Sequence, residues 1–372
     1  MTPIASEIDR GQLVAEIKRR ARELGFDLVG IAPASPSAYR DYYRQWLDSG
    51  QAGAMEYLGR RFDERADPAV YLDGAKTVVC VAMNYYVPLD ESPRPGDRGR
   101  VARYALGDDY HEHIKHKLYD LADWIRDTVS GARTRCGVDT VPVMEKELAA
   151  RAGIGWIGKN TCVINESAGS WLLLGEVLTT LDLPIDDPAT DRCGTCRRCL
   201  DACPTQAFTA AYQLDARKCI SYLTIEHIGG IAATLQAQMG DWLYGCDICQ
   251  DVCPWNNRAV ATLNPALQPR FTSGSLDVNE VLGWTDRNAL RNSAMKRIKL
   301  PVLHRNAGIV AENLAAGRAD AGTLGRAGAS DGSEGEHDPR FRPCALRDNP
   351  DVDRVRPDDP AGGEPTDGDR AG

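Results

Sequence analysis

The sequence lacks any apolar run that reaches 18 residues, the length from which a membrane-spanning helix becomes a candidate. Its first 20 residues also lack the apolar segment of a secretory signal. The arginine pair at Arg19 and Arg20 falls inside a predicted helix and is followed by no apolar run, which is unlike a twin-arginine export signal. These absences predict a cytoplasmic chain without a membrane partner.

An excess of positive charge is also absent, since the formal net charge of the 372 residues is -9. Much of the acidity falls after residue 310, so the rest of the chain is nearly neutral and can still carry a basic face. The charge balance therefore neither supports nor excludes an RNA partner. A hydrophobic fraction of 43% is ordinary for a globular protein, and the length suggests two or three structural units.

What the sequence does have is cysteine, with twelve in all and eight of them between Cys193 and Cys253. In a chain without an export signal, metal ligation is favoured over a disulfide framework because the cytosol keeps thiols reduced. Cys80 lies in the apolar run "TVVCVAMNYY" and is expected to be a small buried hydrophobe.

The pattern of apolar residues predicts an α/β domain over residues 1–185. Apolar residues at helical spacing predict helices at 11–24 and 108–129. Three apolar or alternating segments predict strands; they are 27–33, 77–86 and 171–183.

The rest of the chain divides into three segments by composition. Residues 186–258 follow the turn-rich stretch "LPIDDPATDR" and carry the clustered cysteines, which predicts a ferredoxin-like domain. Residues 259–317 are predicted to form a short C-terminal segment of helices. Residues 318–372 are rich in Gly, Asp and Pro and are predicted to be a disordered acidic tail.

Two cysteine runs carry the strongest chemical signal. The first, "CGTCRRCLDACP", has the full bacterial ferredoxin spacing, whereas the second, "CDICQDVCPWN", lacks its first cysteine. In that pattern three cysteines of a run bind one 4Fe-4S cluster, and the fourth, before proline, binds the other. Cys219, displaced from the second run by an insertion of 26 residues, is the cysteine left to complete the second cluster. The predicted ligand sets are Cys193, Cys196, Cys199 and Cys253 for cluster one, and Cys203, Cys219, Cys246 and Cys249 for cluster two.

A pair of zinc sites is the alternative interpretation of these cysteines, because C-x2-C pairs also suit tetrahedral zinc. Two runs that both end in Cys-Pro favour iron-sulfur clusters.

The stretch "DTVPVMEKELAARAGIGWIGKN", followed by the cysteine runs and "CISYLTIEH", resembles the epoxyqueuosine reductase family. The resemblance implies a cobalamin-binding α/β domain related to reductive dehalogenases, joined to a domain with two 4Fe-4S clusters. It also implies reduction of epoxyqueuosine to queuosine at the wobble position of tRNAs with GUN anticodons, the last step of tRNA queuosine biosynthesis. Such an enzyme is expected to act as a monomer and to take electrons from an external low-potential donor.

The resemblance implies that Asp139 is the proton donor. The chemistry asks for one, because opening an epoxide leaves an alkoxide that is costly without protonation. Enclosure beside a corrin is expected to raise the pKa of this carboxyl. Without the resemblance, Asp139 is more simply interpreted as a carboxylate at the N-terminus of a helix.

Further site residues follow from the resemblance alone. For cobalamin these are Arg61, Lys146, Val163, Leu174 and Ser221, and for the RNA substrate Tyr222 and Thr224. The alternatives are a solvated helical charge for Lys146 and a packing residue for Tyr222. The glycines of "AGIGWIGKN" are expected to let the backbone approach a flat ligand. This stretch does not fit a nucleoside triphosphate loop, since Asn160 follows the lysine.

The stretch "DYHEHI" departs from the D-x-H-x-x-G cobalamin motif, because Ile114 stands in place of glycine. His111 and His113 are therefore predicted to lie on a helix surface or to line the site. Two other functions remain open at this point: a cobalamin-dependent reductive dehalogenase, and a pure electron-transfer protein.

Overall fold

The computed structural model describes residues 9–89, 97–271 and 274–318 of the chain. Its strands are β1 (Leu28–Pro33), β2 (Thr77–Asn84), β3 (Arg98–Val101), β4 (Thr134–Gly137), β5 (Trp156–Ile157), β6 (Val163–Ile164), β7 (Leu172–Thr179), β8 (Phe208–Ala210), β9 (Gln213–Leu214), β10 (Trp242–Tyr244) and β11 (Ser275–Asp277). Its α-helices are α1 (Arg10–Glu23), α2 (Arg40–Asp48), α3 (Phe62–Ala66), α4 (Pro68–Tyr71), α5 (Tyr110–Thr128), α6 (Glu145–Arg151), α7 (Arg198–Asp201), α8 (Ile220–Ile225), α9 (Ala233–Gln238), α10 (Ile248–Asp251), α11 (Val278–Leu282) and α12 (Leu300–Ala315).

A four-stranded antiparallel sheet in the order β1-β2-β7-β4 forms the centre of the fold. Both faces of β2 are buried, which explains its unbroken apolar sequence, because successive side chains of a strand point to opposite faces. One set of its side chains packs in the core that contains α1 and α5, and the alternate set packs with α6. Cys80 belongs to the second set and is 1% exposed, as predicted.

The elements predicted from periodicity are present in this part of the fold. Helices α1 and α5 and strands β1, β2 and β7 fall within two residues of the predicted starts, although β2 and β7 end earlier than predicted. Each of the two helices begins after an aspartate, Asp9 or Asp109, whose carboxylate accepts a backbone hydrogen bond at the first turn. The predicted mixed α/β fold is confirmed.

A second sheet joins segments that lie far apart in the sequence. Its central strand β3 pairs in parallel with β10, from the cysteine-rich segment, and antiparallel with β11, from the C-terminal segment. The single 16-residue helix α12 packs against β10 and α8. The three predicted segments up to residue 317 therefore share one core.

Of the predicted acidic tail, only Arg318 is among the described residues. Within the described ranges no helix is both long enough and apolar enough to span a bilayer.

Candidate active site

The two cysteine runs form matching short helices that contact each other. Cys199 lies in α7 and Cys249 in α10, and in both runs the preceding cysteine falls in the turn before the helix. The carbonyl of Cys193 accepts the backbone N–H of Cys196 at 3.1 Å, which closes the first of these turns. The two runs therefore present their thiols from similar local structures, as the repeated spacing predicts.

The electrostatics of the thiols divide them into two groups. Burial and the nearby thiols of the predicted first set, Cys193, Cys253 and Cys196, together raise the pKa of Cys199 to about 12. Burial also raises the pKa of Cys246 well above its usual value, with added effects from Cys219 and Cys203. Thiols affect one another in this way only at short range.

We name these groups set one and set two. Set one contains Cys193, Cys196, Cys199 and Cys253, and set two contains Cys203, Cys219, Cys246 and Cys249. Among the described residues, no three His, Cys, Asp or Glu side chains are grouped closely enough to hold a single metal ion.

A ninth cysteine, Cys162, is hydrogen-bonded to Cys249 of set two. A hydrogen bond with Cys249 and the nearby charge of Lys146 lower the pKa of Cys162 to about 7, against the opposing effect of burial. The sequence pattern gives no reason to place Cys162 here, because it lies outside both runs.

Residues of the stretch "AGIGWIGKN" attach β5 and β6 to both cysteine runs. The Lys159 ammonium donates to the carbonyls of Gly194 and Cys196, at 2.6 and 3.0 Å. The Asn160 side chain donates to the carbonyl of Cys249 at 3.2 Å. These bonds explain why a lysine and an asparagine end the stretch.

The glycines of this stretch serve internal packing. A side chain at Gly155 would collide with the carbonyl of Ile164, and one at Gly158 would collide with the Ile164 side chain. Both contacts lie inside the hairpin formed by β5 and β6. The expectation that these two glycines open the backbone to a flat ligand is therefore replaced by a packing explanation.

Asp139 lies just beyond the end of β4, with its side chain 40% exposed. Its backbone has a left-handed φ of 48°. The Nε2 atom of His111 lies 2.8 Å from Asp139 Oδ2, and Nδ1 of the same ring lies 2.7 Å from Asp109 Oδ1. Asp109 begins α5, so the helix start and the end of β4 are joined through one imidazole.

The charges around Asp139 oppose the effect of its burial. Burial raises the pKa of Asp139. Hydrogen bonds from His111 and Tyr110 lower it, as do the nearby positive charges of His111 and Arg297. The net result is a pKa below the ordinary value of an aspartate. For His111 burial lowers the pKa, and the two carboxylates Asp109 and Asp139 raise it to about 9. The carboxyl thus has a lowered pKa, whereas enclosure was expected to raise it.

Two further acids lie beside Asp139, Glu145, which is half-buried, and Glu176, which is buried. Burial, reinforced by Asp139, raises the pKa of Glu145 to about 7. Glu176 is 1% exposed and pairs across the sheet with Gly137, and its Oε2 has no hydrogen-bond partner among the described residues. Burial raises the pKa of Glu176 well above its usual value. The position of this glutamate inside the otherwise apolar strand β7 is the signal in the sequence that could have pointed to it.

The residues expected to hold a cofactor fall into two kinds. Val163 and Leu174 are buried and pack in the same apolar cluster beneath the sheet. Lys146 is exposed and close enough to Cys162 to lower the pKa of that thiol. Ser221 is half-buried in α8, next to the set-two residue Cys219.

Arg61 is exposed and precedes α3 with a left-handed φ of 57°. Its guanidinium pairs with Glu64 and lies 5.6 Å from the centre of the Tyr71 ring. These contacts hold Arg61 against α3 and α4.

Tyr222 and Thr224, the two residues expected to contact the substrate, are buried. The Tyr222 hydroxyl accepts the backbone N–H of Ala54 at 2.7 Å, and its ring packs under Gly53. The Thr224 hydroxyl donates to the carbonyl of Ile220 at 2.8 Å. These observations agree with the packing alternative for Tyr222, and they show that the hydroxyl of Thr224 is bonded within its own helix.

Comparisons with known proteins agree with these observations. The family model described as a 4Fe-4S double cluster binding domain matches residues 192–256, and the one described as Epoxyqueuosine reductase QueG matches residues 65–140. An epoxyqueuosine reductase of Xanthomonas campestris is 40% identical over 297 residues, covering 79% of this chain and 84% of the relative. One of Leadbetterella byssophila is 42% identical over 303 residues, covering 80% of this chain and 98% of the relative.

Solved structures of epoxyqueuosine reductases are also similar to this chain. An epoxyqueuosine reductase crystallised with an epoxyqueuosine-modified stem loop of tyrosine tRNA matches with a TM-score of 0.78 and 29% identity, over 84% of each chain. The Bacillus subtilis enzyme, with a catalytic aspartate loop swung out of its active site, matches with a TM-score of 0.75 and 28% identity, over 82% of each chain. A catabolic reductive dehalogenase matches more weakly, with a TM-score of 0.41 and 17% identity over 38% of its length.

Proposed function

The chain belongs to the epoxyqueuosine reductase family, and on that premise we propose that it reduces the epoxide of epoxyqueuosine at the wobble position of a tRNA with a GUN anticodon. This reaction is the last step of tRNA queuosine biosynthesis. The observation that carries the proposal is the exposed carboxylate of Asp139, held by an imidazole in the domain that also holds two groups of four cysteines. The solved relative bound to a modified tRNA stem loop supports an RNA substrate.

The two sets of cysteines are proposed to bind one 4Fe-4S cluster each. Cluster binding requires thiolates, so the raised pKa values of Cys199 and Cys246 predict that assembly releases protons. Cys203 and Cys253 would each bind the cluster of the other run, as in bacterial ferredoxins. An external low-potential donor would load them with electrons.

Cobalamin, when bound, would supply the two electrons that open the epoxide. The residues present fit such a group, because Lys146 and Asp139 are both exposed and both lie close to Glu145, so they border one region of the surface with a cationic and a carboxyl hydrogen-bonding group. Lys146, Ser221 and Arg61 are proposed as polar contacts. Val163 and Leu174 are proposed to support the cofactor from the apolar side.

Asp139 is proposed to protonate the oxygen that leaves the epoxide. Reduction of an epoxide to an alkene and water consumes two electrons and two protons. The first proton neutralises the alkoxide as the C–O bond breaks, and the second lets the hydroxyl leave as water. An exposed carboxyl at the end of β4 can reach an oxygen on the RNA, whereas Glu145 and Glu176 are held behind it.

Tyr222 and Thr224, which were expected to contact the substrate, are proposed to hold in place the segments around the site. Tyr222 holds the turn at Gly53 and Ala54, and Thr224 holds α8 beside set two. The enzyme is proposed to work as a monomer in the cytoplasm.

The test is an anaerobic turnover assay. Protein with reconstituted clusters is mixed with cobalamin, a strong reductant and an epoxyqueuosine-containing anticodon stem loop, and nucleosides are identified by mass spectrometry. Queuosine should form only when clusters, cobalamin and reductant are all present. Failure of the complete mixture to form queuosine would overturn the proposal, and formation without cobalamin would overturn the role of that cofactor. A protein that only transfers electrons would bind no stoichiometric cobalamin.

A further inference from the structure

We propose that His111 is a positioning residue that holds Asp139 in place and resupplies its proton, with Asp109 orienting the imidazole. This inference rests on the proposed role of Asp139 as the group that protonates the substrate oxygen. It adds a source for the second proton, which a single carboxyl cannot store.

The imidazole is fixed on both nitrogens and on one face. Its Nδ1 lies 2.7 Å from Asp109 Oδ1 and its Nε2 lies 2.8 Å from Asp139 Oδ2. The ring stacks on Tyr110 with 4.0 Å between centroids. Asp109 is 5% exposed, and it also accepts the backbone N–H of His111 at 3.1 Å and pairs with Lys296. An imidazole held in this way has little freedom to turn from Asp139.

The contact also bears on the backbone of Asp139. A left-handed φ is uncommon for a residue other than glycine, although aspartate tolerates it better than most. The imidazole of His111 bonds to the Asp139 carboxylate. This bond favours the backbone conformation of Asp139 that presents its carboxyl to the imidazole. Loss of the imidazole is therefore expected to loosen the turn as well as to change its charge.

Every charged or titratable group that bears on the pair can be named. His111 faces Asp109 and Asp139, and Asp109 faces Lys296, which also neighbours Glu112. Among the described residues, the groups around Asp139 are Tyr110, Arg297, Glu145, Glu176, Tyr57 and Tyr244.

The same hydrogen bond lowers the pKa of Asp139 and raises that of His111 to about 9. At neutral pH the pair therefore holds its proton on the imidazole, and Asp139 is ionised. An ionised carboxylate cannot protonate an alkoxide unless it first receives a proton. His111 and the Tyr110 hydroxyl both lie within hydrogen-bond reach of it. The imidazolium is the stronger acid of the two, because burial raises the pKa of Tyr110 well above its usual value.

The protons balance in two rounds. As the C–O bond of the epoxide breaks, with two electrons from the reductant of the proposed function, the Nε2 proton of His111 moves to the Asp139 carboxylate. The carboxyl then gives a proton to the alkoxide oxygen. His111 is left neutral, with its Nδ1 proton donated to Asp109, and takes a proton from solvent. A second round protonates the hydroxyl, which leaves as water when the alkene forms.

The first test needs no cofactor and no substrate. The imidazole of His111 is titrated by NMR in the wild-type protein and in Asp139→Asn, an exposed substitution that keeps the shape of the side chain. The pKa of His111 should lie near 9 in the wild type and fall toward 6.5 in the variant. An unchanged pKa in Asp139→Asn would overturn the coupling.

The second test is the pH profile of single turnover on the modified stem loop. His111→Gln keeps a hydrogen-bonding side chain without an exchangeable charge, and His116→Gln, an exposed position of the same helix, is the matched control. His111→Gln should react about 100-fold more slowly at neutral pH and lose the decline in rate above pH 9, while His116→Gln behaves as the wild type.

His111→Gln is expected to be less stable than the wild type at neutral pH. An unchanged circular dichroism spectrum at the assay temperature and an unchanged iron content would therefore exclude a loss of activity through misfolding. Turnover of His111→Gln within about twofold of the wild type, with the same pH profile, would overturn the inference and point to Glu145 as the proton store. Absence of turnover by the wild type, with the NMR coupling present, would overturn the proposed function and with it the role of His111 in it.

Discussion

The hydroxyl of Thr224 accepts a hydrogen bond from the backbone N–H of Gly245 at 2.9 Å. This bond joins α8, which follows Cys219, to the residue before Cys246. The two ends of the 26-residue insertion are thereby held together. Cys219 thus stays close to Cys246, as the raised pKa of Cys246 independently indicates.

Replacing Thr224 with valine should destabilise the protein. The change removes the acceptor of a buried N–H and should lower the free energy of unfolding by about 1–3 kcal/mol, measured by denaturant titration. Thr224→Ser keeps the hydroxyl and should retain most of the stability. The affinity for the modified stem loop should be the same in both variants. A loss of affinity in Thr224→Val at unchanged stability would mean that this residue touches the substrate after all.

Replacing Cys219 with alanine should remove iron from one cluster. Because Cys219 belongs to set two, reconstituted Cys219→Ala should hold about half the iron of the wild type and lose one cluster signal in electron paramagnetic resonance. Cys136→Ala is the control, since this thiol lies against the carbonyl of Leu118, outside both sets. Full iron retention in Cys219→Ala would refute the ligand assignment.

Replacing Lys146 with glutamine should weaken cobalamin binding. A charged hydrogen-bond donor at an exposed contact contributes about 1.5 kcal/mol, so a roughly tenfold loss of affinity is expected in an absorbance titration. Lys115→Gln, on the surface of α5 beside Tyr119, supplies the control for removing one positive charge. Equal cobalamin affinities of the two variants would mean that Lys146 is a solvated charge on its helix and does not contact the cofactor.

Stability should depend on pH through His111. Its pKa rises from 6.5 to about 9 on folding, so the stabilisation is fully present below pH 6.5 and is lost as the pH rises through 9. The loss amounts to at most about 3 kcal/mol, and less to the extent that water screens Asp139, whose side chain is 40% exposed. The difference in unfolding free energy between the wild type and His111→Gln should shrink over this range. A constant difference from pH 6.5 to 9 would contradict the assigned shift.

The sequence alone was enough for the parts of the fold and site that depend on local spacing. Periodicity located α1, α5 and the long strands, because burial on one or both faces leaves a repeating pattern. The C-x2-C spacing located both cysteine sets, including displaced Cys219, since only one other cysteine lay within the region. Asp139 required the family resemblance, because one carboxylate before a helix has a simpler explanation.

Features built from distant segments left no comparable signal. The pairing of β3 with β10 and β11 unites short strands that lack an individual pattern. The contact between His111 and Asp139 spans 28 residues and depends on where α5 begins relative to β4. The glycines of the hairpin were assigned to a ligand because a sequence does not show which atoms a missing side chain would meet.

The most direct measurement of the central claim is single turnover of the epoxyqueuosine-containing stem loop by Asp139→Asn, compared with the wild type at equal iron and cobalamin content. The substitution removes the transferable proton and leaves the exposed position and its size unchanged. The wild type should form queuosine, and Asp139→Asn should form it at least about 100-fold more slowly. Formation of queuosine by Asp139→Asn at the wild-type rate would contradict the account.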